Sequence, residues 1–232
     1  MRTKIVIFFS LCAASLAEEG FTSLFNNKNL DGWTVHPART VDAWSVQNGT
    51  IVGNGDLGKG YLVYNDDQLR NFELKLSYRF PEKGNSGISV RQRPDPTGKR
   101  AFQSYHADLG HVGIGKKILG AWDFHTPGRR EHACFRGDSL IIDPQDKPTI
   151  TPLVDPVTTQ DIDATGWNHV HIIVKDNRFQ FFINGKLASE FTEHLPKARR
   201  LSRGAIALQL HDPGMIVAFK ELRLKNTDRT TP

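Results

Sequence analysis

Cysteine is scarce: Cys12 and Cys134 are the only two in 232 residues. Cys12 falls in an N-terminal stretch that reads as a secretory signal. Arg2 and Lys4 precede an apolar run over residues 5–14, and Ser15-Leu-Ala17 presents small residues to a signal peptidase. Leu11 before Cys12 is a poor fit to a lipid-attachment motif. Cleavage after residue 17 leaves Cys134 alone, so no intrachain disulfide braces the chain and its fold must rest on its core. Long apolar runs are missing as well. The signal's own run is too short to span a bilayer and no later stretch approaches it, so the mature chain is expected to be secreted or periplasmic and off the membrane. A sustained 3.6-residue apolar period is missing throughout, which argues against a helical body. No Gly-x-Ser-x-Gly elbow, phosphate loop or compact zinc-type spacing occurs. Excess charge is small: +5 formally, falling to +3 when Arg2 and Lys4 leave. Basic residues cluster only at Arg199-Arg200-Leu-Ser-Arg203, a pattern typical of a solvated loop, so nucleic acid is not implied.

What the chain does have is alternation. Phe72, Leu74, Leu76, Tyr78 and Phe80 interleave with Glu73, Lys75, Ser77 and Arg79, the period of a strand with one buried face. Asn48-Gly49, Asp176-Asn177 and Asn184-Gly185 are hairpin turns between further apolar runs. A meander is expected over residues 167–191, a closing strand pair over 204–211 and 215–224, and one helical turn within 193–200. Pro144, Pro148, Pro152 and Pro156 forbid a helix or a central strand, and the stretch between residues 143 and 166 reads as an extended loop. Many short strands separated by turns point to an all-β antiparallel sandwich or barrel. No linker or repeat divides residues 18–232, so one domain is expected after a signal peptide at 1–17.

The ordered landmarks resemble a known family. Leu24-Phe-Asn-Asn-Lys-Asn-Leu-Asp-Gly-Trp33, Trp44-x-Val-x-x-Gly-x-Ile51, Asn85-Ser-Gly-Ile-x-x-Arg91, Trp167-Asn168 and Gly204-x-Ile-x-Leu-Gln-x-His211 are similar to motifs of the 3-keto-disaccharide hydrolase domain family, in the family's order, across most of residues 20–225. The resemblance implies a concanavalin A-like jelly roll of two antiparallel sheets with a concave polar face, and a carbohydrate-related role. It implies cleavage of oxidised glycosides: a ketone at C3 acidifies the C2 proton, a base removes it, the glycosidic oxygen leaves and water adds. Such chemistry needs a base near C2, an acid for the leaving oxygen and a donor or divalent metal for the enolate. The third strand departs from the family pattern: Gln103-Ser-Tyr-His-Ala-Asp108 keeps the Asp, lacks a Glu and has His106 in place of a Gln. The Glu-x-Asp-x-x-Glu strand of sandwich glucanases is missing, which disfavours retaining hydrolysis by paired carboxylates.

Spacing alone puts His106 and Asp108 on one strand face, as base or metal ligand or as an ordinary solvated pair. Asp123 and His125 repeat that spacing and, with His111, outline a possible metal set, although no dedicated metal or other cofactor is called for. Gln209 and His211 share the face of the closing strand: Gln209 suits a sugar hydroxyl and His211 an acid or base, or both brace a loop. The catalytic candidates are Asp108, His106 and His211. Asn85, Arg91, Gln103, Tyr105, Trp122 and Gln209 are the candidate substrate contacts. Among them Arg91 would hold an oxygen or pair with Asp108, and Tyr105 and Trp122 would stack on a sugar ring or pack in the core. The partner is a saccharide or oxidised glycoside, met by an enzyme or by a non-catalytic carbohydrate-binding module.

Overall fold

The computed structural model describes residues 18–115 and 117–228. The signal-peptide expectation lies outside them. Strands, numbered along the chain, form two sheets. One has seven strands in the order β10 (Ala133–Cys134), β9 (Trp122–His125), β8 (Phe102–Gly110), β7 (Asn85–Pro94), β16 (Ala205–Leu210), β5 (Gly60–Tyr64) and β2 (Trp33–His36). The other runs β12 (Pro148–Pro152), β11 (Asp138–Ile142), β15 (Lys186–Glu193), β14 (Arg178–Ile183), β13 (Asn168–Lys175), β6 (Phe72–Arg79), β17 (Ile216–Asn226), β4 (Thr50–Asn54) and β3 (Trp44–Gln47), with β1 (Thr22–Ser23) on β17. Pairing is antiparallel except between β11 and β15.

Alternation builds the core. Phe72, Leu74, Leu76 and Tyr78 of β6 face inward, and Tyr105, Ala107 and Leu109 of β8 meet them from the other sheet. Phe179 and Phe191 stack with ring centroids 4.3 Å apart, and Trp122 packs edge-on to Phe191 at 5.4 Å. Burial of this apolar face supplies the stability that no disulfide provides. Cys134 is buried there as a small hydrophobe, and burial pushes its thiol far above the ordinary range.

Turn chemistry sets the register as expected. Asn48-Gly49 and Asn184-Gly185 take positive φ between β3 and β4 and between β14 and β15, and the helical turn is Lys197–Arg199. The proline-rich stretch corrects the loop expectation, because Pro148–Pro152 pairs with β11. It is the outermost strand of its sheet, and an edge strand tolerates proline because one side of its ladder needs no donor.

Candidate functional site

The outer face of the seven-stranded sheet, turned away from the core, collects the polar side chains. Tyr61 of β5 pairs with Gln209 of β16, Gly87 of β7 with Asp108 of β8, and His106 of β8 with Asp123 of β9. The row crosses five neighbouring strands and floors a cavity of about 510 Å³, within the usual range for small-molecule sites. Asn85 and His211 stand at its rim, and Arg100 and Phe135 close it from loops.

Gly87 makes the arrangement possible. A Cβ there would lie 2.1 Å from His106 Nε2, so only glycine lets the imidazole lie across β7. His106 is fully buried. Its Nδ1 is 3.0 Å from Ser89 Oγ, its ring stacks on His125 at 4.8 Å, and its Nε2 is 3.7 Å from Asp108 Oδ1. That last distance is longer than a hydrogen bond. Burial first, and the nearby His125 second, hold His106 well below the usual imidazole range, so it is neutral at pH 7.

Asp108 responds to the same dryness in the opposite sense. Burial, aided by the charge of Asp123, pushes its carboxyl up to about 8. Asp123 differs although it is close by. Burial would raise it too, but a hydrogen bond and charge from His125, with Nε2 to Oδ2 at 3.1 Å, keep it below the ordinary carboxylate value. Two neighbouring carboxyls are thus set apart, one holding a proton and one ionised, an arrangement typical of acid–base sites. His211 is half exposed and contacts Asp212 Oδ1 through Nδ1 at 2.7 Å.

Of the sequence candidates, Asn85, His106, Asp108, Gln209 and His211 converge on this cavity. The Asn85 Oδ1 is buried there without a hydrogen-bond partner, and Gln209 Nε2 reaches Tyr61 Oη at a long 3.4 Å. Both amides have capacity to spare for a ligand.

Arg91 is a correction. A bulge between Val90 and Arg93, with Arg91 at φ 49°, turns its side chain out of the row, and no pair with Asp108 forms. Its guanidinium donates to the carbonyls of Arg70, Leu201 and Asp176 at the far end of the strand. Tyr105 is also corrected: its ring is buried in the core and its hydroxyl donates to Glu193 Oε2 at 2.7 Å. Trp122 borders the cavity only from beneath, with its ring fully buried, so it offers no stacking face. Gln103 donates to the Pro94 carbonyl at 3.3 Å and lies away from the cavity. The aromatic groups that do line the cavity are Tyr61 and Phe135, which the sequence reading did not single out. Tyr61 was legible in principle as the cross-strand neighbour of Gln209. Phe135 was not, because it arrives on an irregular loop.

His111 does not join Asp123 and His125 in lining this cavity, and its Nδ1 sits about 3 Å from the backbone of Gly84. Among the described residues no three His, Cys, Asp or Glu side chains converge as ligands.

The chain matches the profile of the 3-keto-alpha-glucoside-1,2-lyase-like domain over residues 20–225. It belongs to that family. A curated relative, the 3-keto-disaccharide hydrolase of Bacteroides thetaiotaomicron, is 30% identical over 78 residues, covering 30% of this chain and 27% of that one. The aligned stretch is thus about a quarter of the relative's length. A protein from Parabacteroides distasonis assigned as a glycosyl hydrolase superposes with TM-score 0.60 at 22% identity, over 90% of this chain and 95% of that one. The β-glucanase of Bacillus licheniformis gives 0.52 at 12% over 89% and 97%, and a carbohydrate binding module of Bacillus subtilis 0.51 at 14% over 84% and 95%. The family's fold here is a concanavalin A-like sandwich of two mainly antiparallel sheets.

Proposed function

We propose that this face cleaves the glycosidic bond of 3-keto sugars by elimination followed by hydration. The ionised carboxylate of Asp108 takes the proton from C2. The C–H electrons form the enolate, the enolate expels the C1 oxygen, and His211 at the rim protonates that oxygen as it leaves. Water then adds to C1 of the enone and a proton returns to C2. Neutral His106 and the Asn85 amide flank the developing oxyanion as hydrogen-bond donors. Tyr61 and Gln209 hold the ring.

The observation that carries the reading is the environment of Asp108. A carboxyl that titrates near 8 is a far stronger base, once ionised, than an ordinary one, and abstraction beside a ketone needs that strength. The family match over residues 20–225 and the family's name support the substrate class. Turnover of a 3-keto-glucoside by the purified chain tests it. The wild type should release the aglycone and Asp108→Asn should not; equal rates for the two proteins would end the proposal. The alternative of a pure binding module loses its simplest support, because Trp122 and Tyr105 cannot stack on sugar from the core.

A further inference from the structure

The far end of the sandwich carries a second polar cleft, of about 640 Å³, where the ends of both sheets meet. Its lining includes Arg70, Arg91, Arg93, Lys197, Arg200 and Arg203, against one carboxylate, Asp176. Among the described residues none of these six cations lies within ion-pair distance of a carboxylate. Arg70, Arg93, Lys197 and Arg203 are exposed, whereas Arg91 is 3% exposed. Carbonyl groups satisfy the Arg91 donors without cancelling its charge. Burial pulls its pKa down to about 10, so it remains a cation at neutral pH. The Arg200 Nε is buried with no partner.

A neighbouring hollow of about 300 Å³ shares Arg93 and Arg203 with this cleft. Gln92 lines it, 2% exposed, with neither its Oε1 nor its Nε2 hydrogen-bonded. A buried carboxamide with both ends idle has a high desolvation cost and is matched by a ligand that both donates and accepts. Asp67 is the carboxylate on that hollow's rim. Gly204 brings the loop in: a Cβ there would lie 2.4 Å from the Arg91 carbonyl carbon, so only glycine lets Arg203 pass beside β7. The hollow continues the face of the reaction cavity. Ala205 lies four residues before Gln209 on β16, on the same side of the strand, about 13 Å along it.

We propose that the face binds an acidic oligosaccharide lengthwise, with hydroxyls on Gln92 and a carboxylate or sulfate on Arg93, Arg203 and Lys197, while the bond to be cleaved lies over Asp108. The inference rests on the saccharide reading of the Asp108 cavity, and it adds the sign of the substrate's charge. An idle amide beside free cations suits a ligand with both hydroxyls and anionic groups, which a simple anion or a neutral glycan lacks. Exposed cations gain by such contacts most at low ionic strength.

The test measures binding of the full chain to three probes: a sulfated hexasaccharide, a uronate hexasaccharide and a neutral gluco-hexasaccharide, each at low and at physiological salt. The acidic probes should bind at least ten-fold more tightly than the neutral one. The double variant Arg93→Glu/Arg203→Glu should lose that preference with its melting temperature unchanged, since both side chains are exposed. Gln92→Leu should weaken all three probes by a similar factor. Equal affinity of the double variant for the acidic probes would overturn the proposal. So would single-stranded DNA binding as tightly as the acidic saccharides and losing affinity in parallel, which would mark simple attraction of polyanions. Turnover of a neutral 3-keto-disaccharide separates the two readings. Turnover present, with acidic binding indifferent to charge reversal, removes this cleft alone. Turnover absent, with acidic binding sensitive to reversal, keeps the cleft and removes the lyase chemistry.

Discussion

Replacing Asp108 by Asn should stabilise the protein while abolishing its chemistry, and the stabilisation should depend on pH in a defined way. In the fold Asp108 keeps its proton until about pH 8, whereas its ordinary value is 3.8. Between those values the folded chain binds more protons than the unfolded one. The stability this group contributes is therefore full below 3.8 and is lost as pH rises towards 8. Each pH unit in that window is worth about 1.4 kcal/mol, so wild type should fall behind Asp108→Asn by about 3 kcal/mol at pH 6 and about 5 at pH 8. The side chain is 16% exposed, so these figures are ceilings. Urea unfolding of both proteins at pH 4, 5, 6, 7 and 8 reads the difference directly, since other titrations largely cancel. The proton-abstraction step should mirror it. Only roughly a tenth of Asp108 is ionised at pH 7, so the rate of enzyme-dependent deuterium exchange at C2 should climb about ten-fold per pH unit below the pKa and level off above 8. A constant stability gap across this range would refute the assignment of a dry, proton-holding carboxyl.

Gly87→Ala should drive His106 from its place and lower kcat by about 100-fold, because a displacement of about 1 Å at a catalytic group costs that much; unchanged kcat would show that the imbidazole has room to spare. Asn85→Ala removes one donor to the developing oxyanion, and kcat for a 3-keto-glucoside should fall roughly 100-fold with KM less affected. Glu193→Ala strands the Arg129 guanidinium, 2.8 Å from it in the buried pair, and should cost roughly 3–5 kcal/mol in urea unfolding. Trp122→Ala opens the core beneath the site and should cost about 3–5 kcal/mol in the same assay, a loss that an added saccharide should not selectively reverse.

Much of this was legible in the residues. The alternation in β6 and the Asn-Gly turns fix inside and outside for strands whose register does not slip, and they place His106, Asp108 and Gln209 on one face. The reading failed where regular spacing failed. Arg91 is six residues beyond Asn85, which in an unbroken strand means the same face, but the bulge after Val90 reverses it. Gln92 was hidden by the same irregularity. Tyr105 and Trp122 were misplaced against the alternation itself: each adjoins a residue of the polar face, His106 and Asp123, so a regular strand turns both rings inward, and here both fill the space between the sheets. The separation of Asp108 from Asp123 in proton affinity was beyond sequence altogether. It depends on the burial of Asp108 and its closeness to Asp123, which exist only once β8 and β9 lie side by side, whereas the His125 contact that keeps Asp123 low lies within β9 itself.

Proton exchange at C2 is the step on which everything else turns. The purified chain should be given a 3-keto-glucoside in D₂O and the released 3-keto sugar examined promptly by mass spectrometry and NMR, against a protein-free control. Enzyme-dependent deuterium at C2, lost in Asp108→Asn, is the expected result. Release of a sugar that keeps its original C2 hydrogen would contradict the account, because the bond would then have broken without Asp108 touching that carbon.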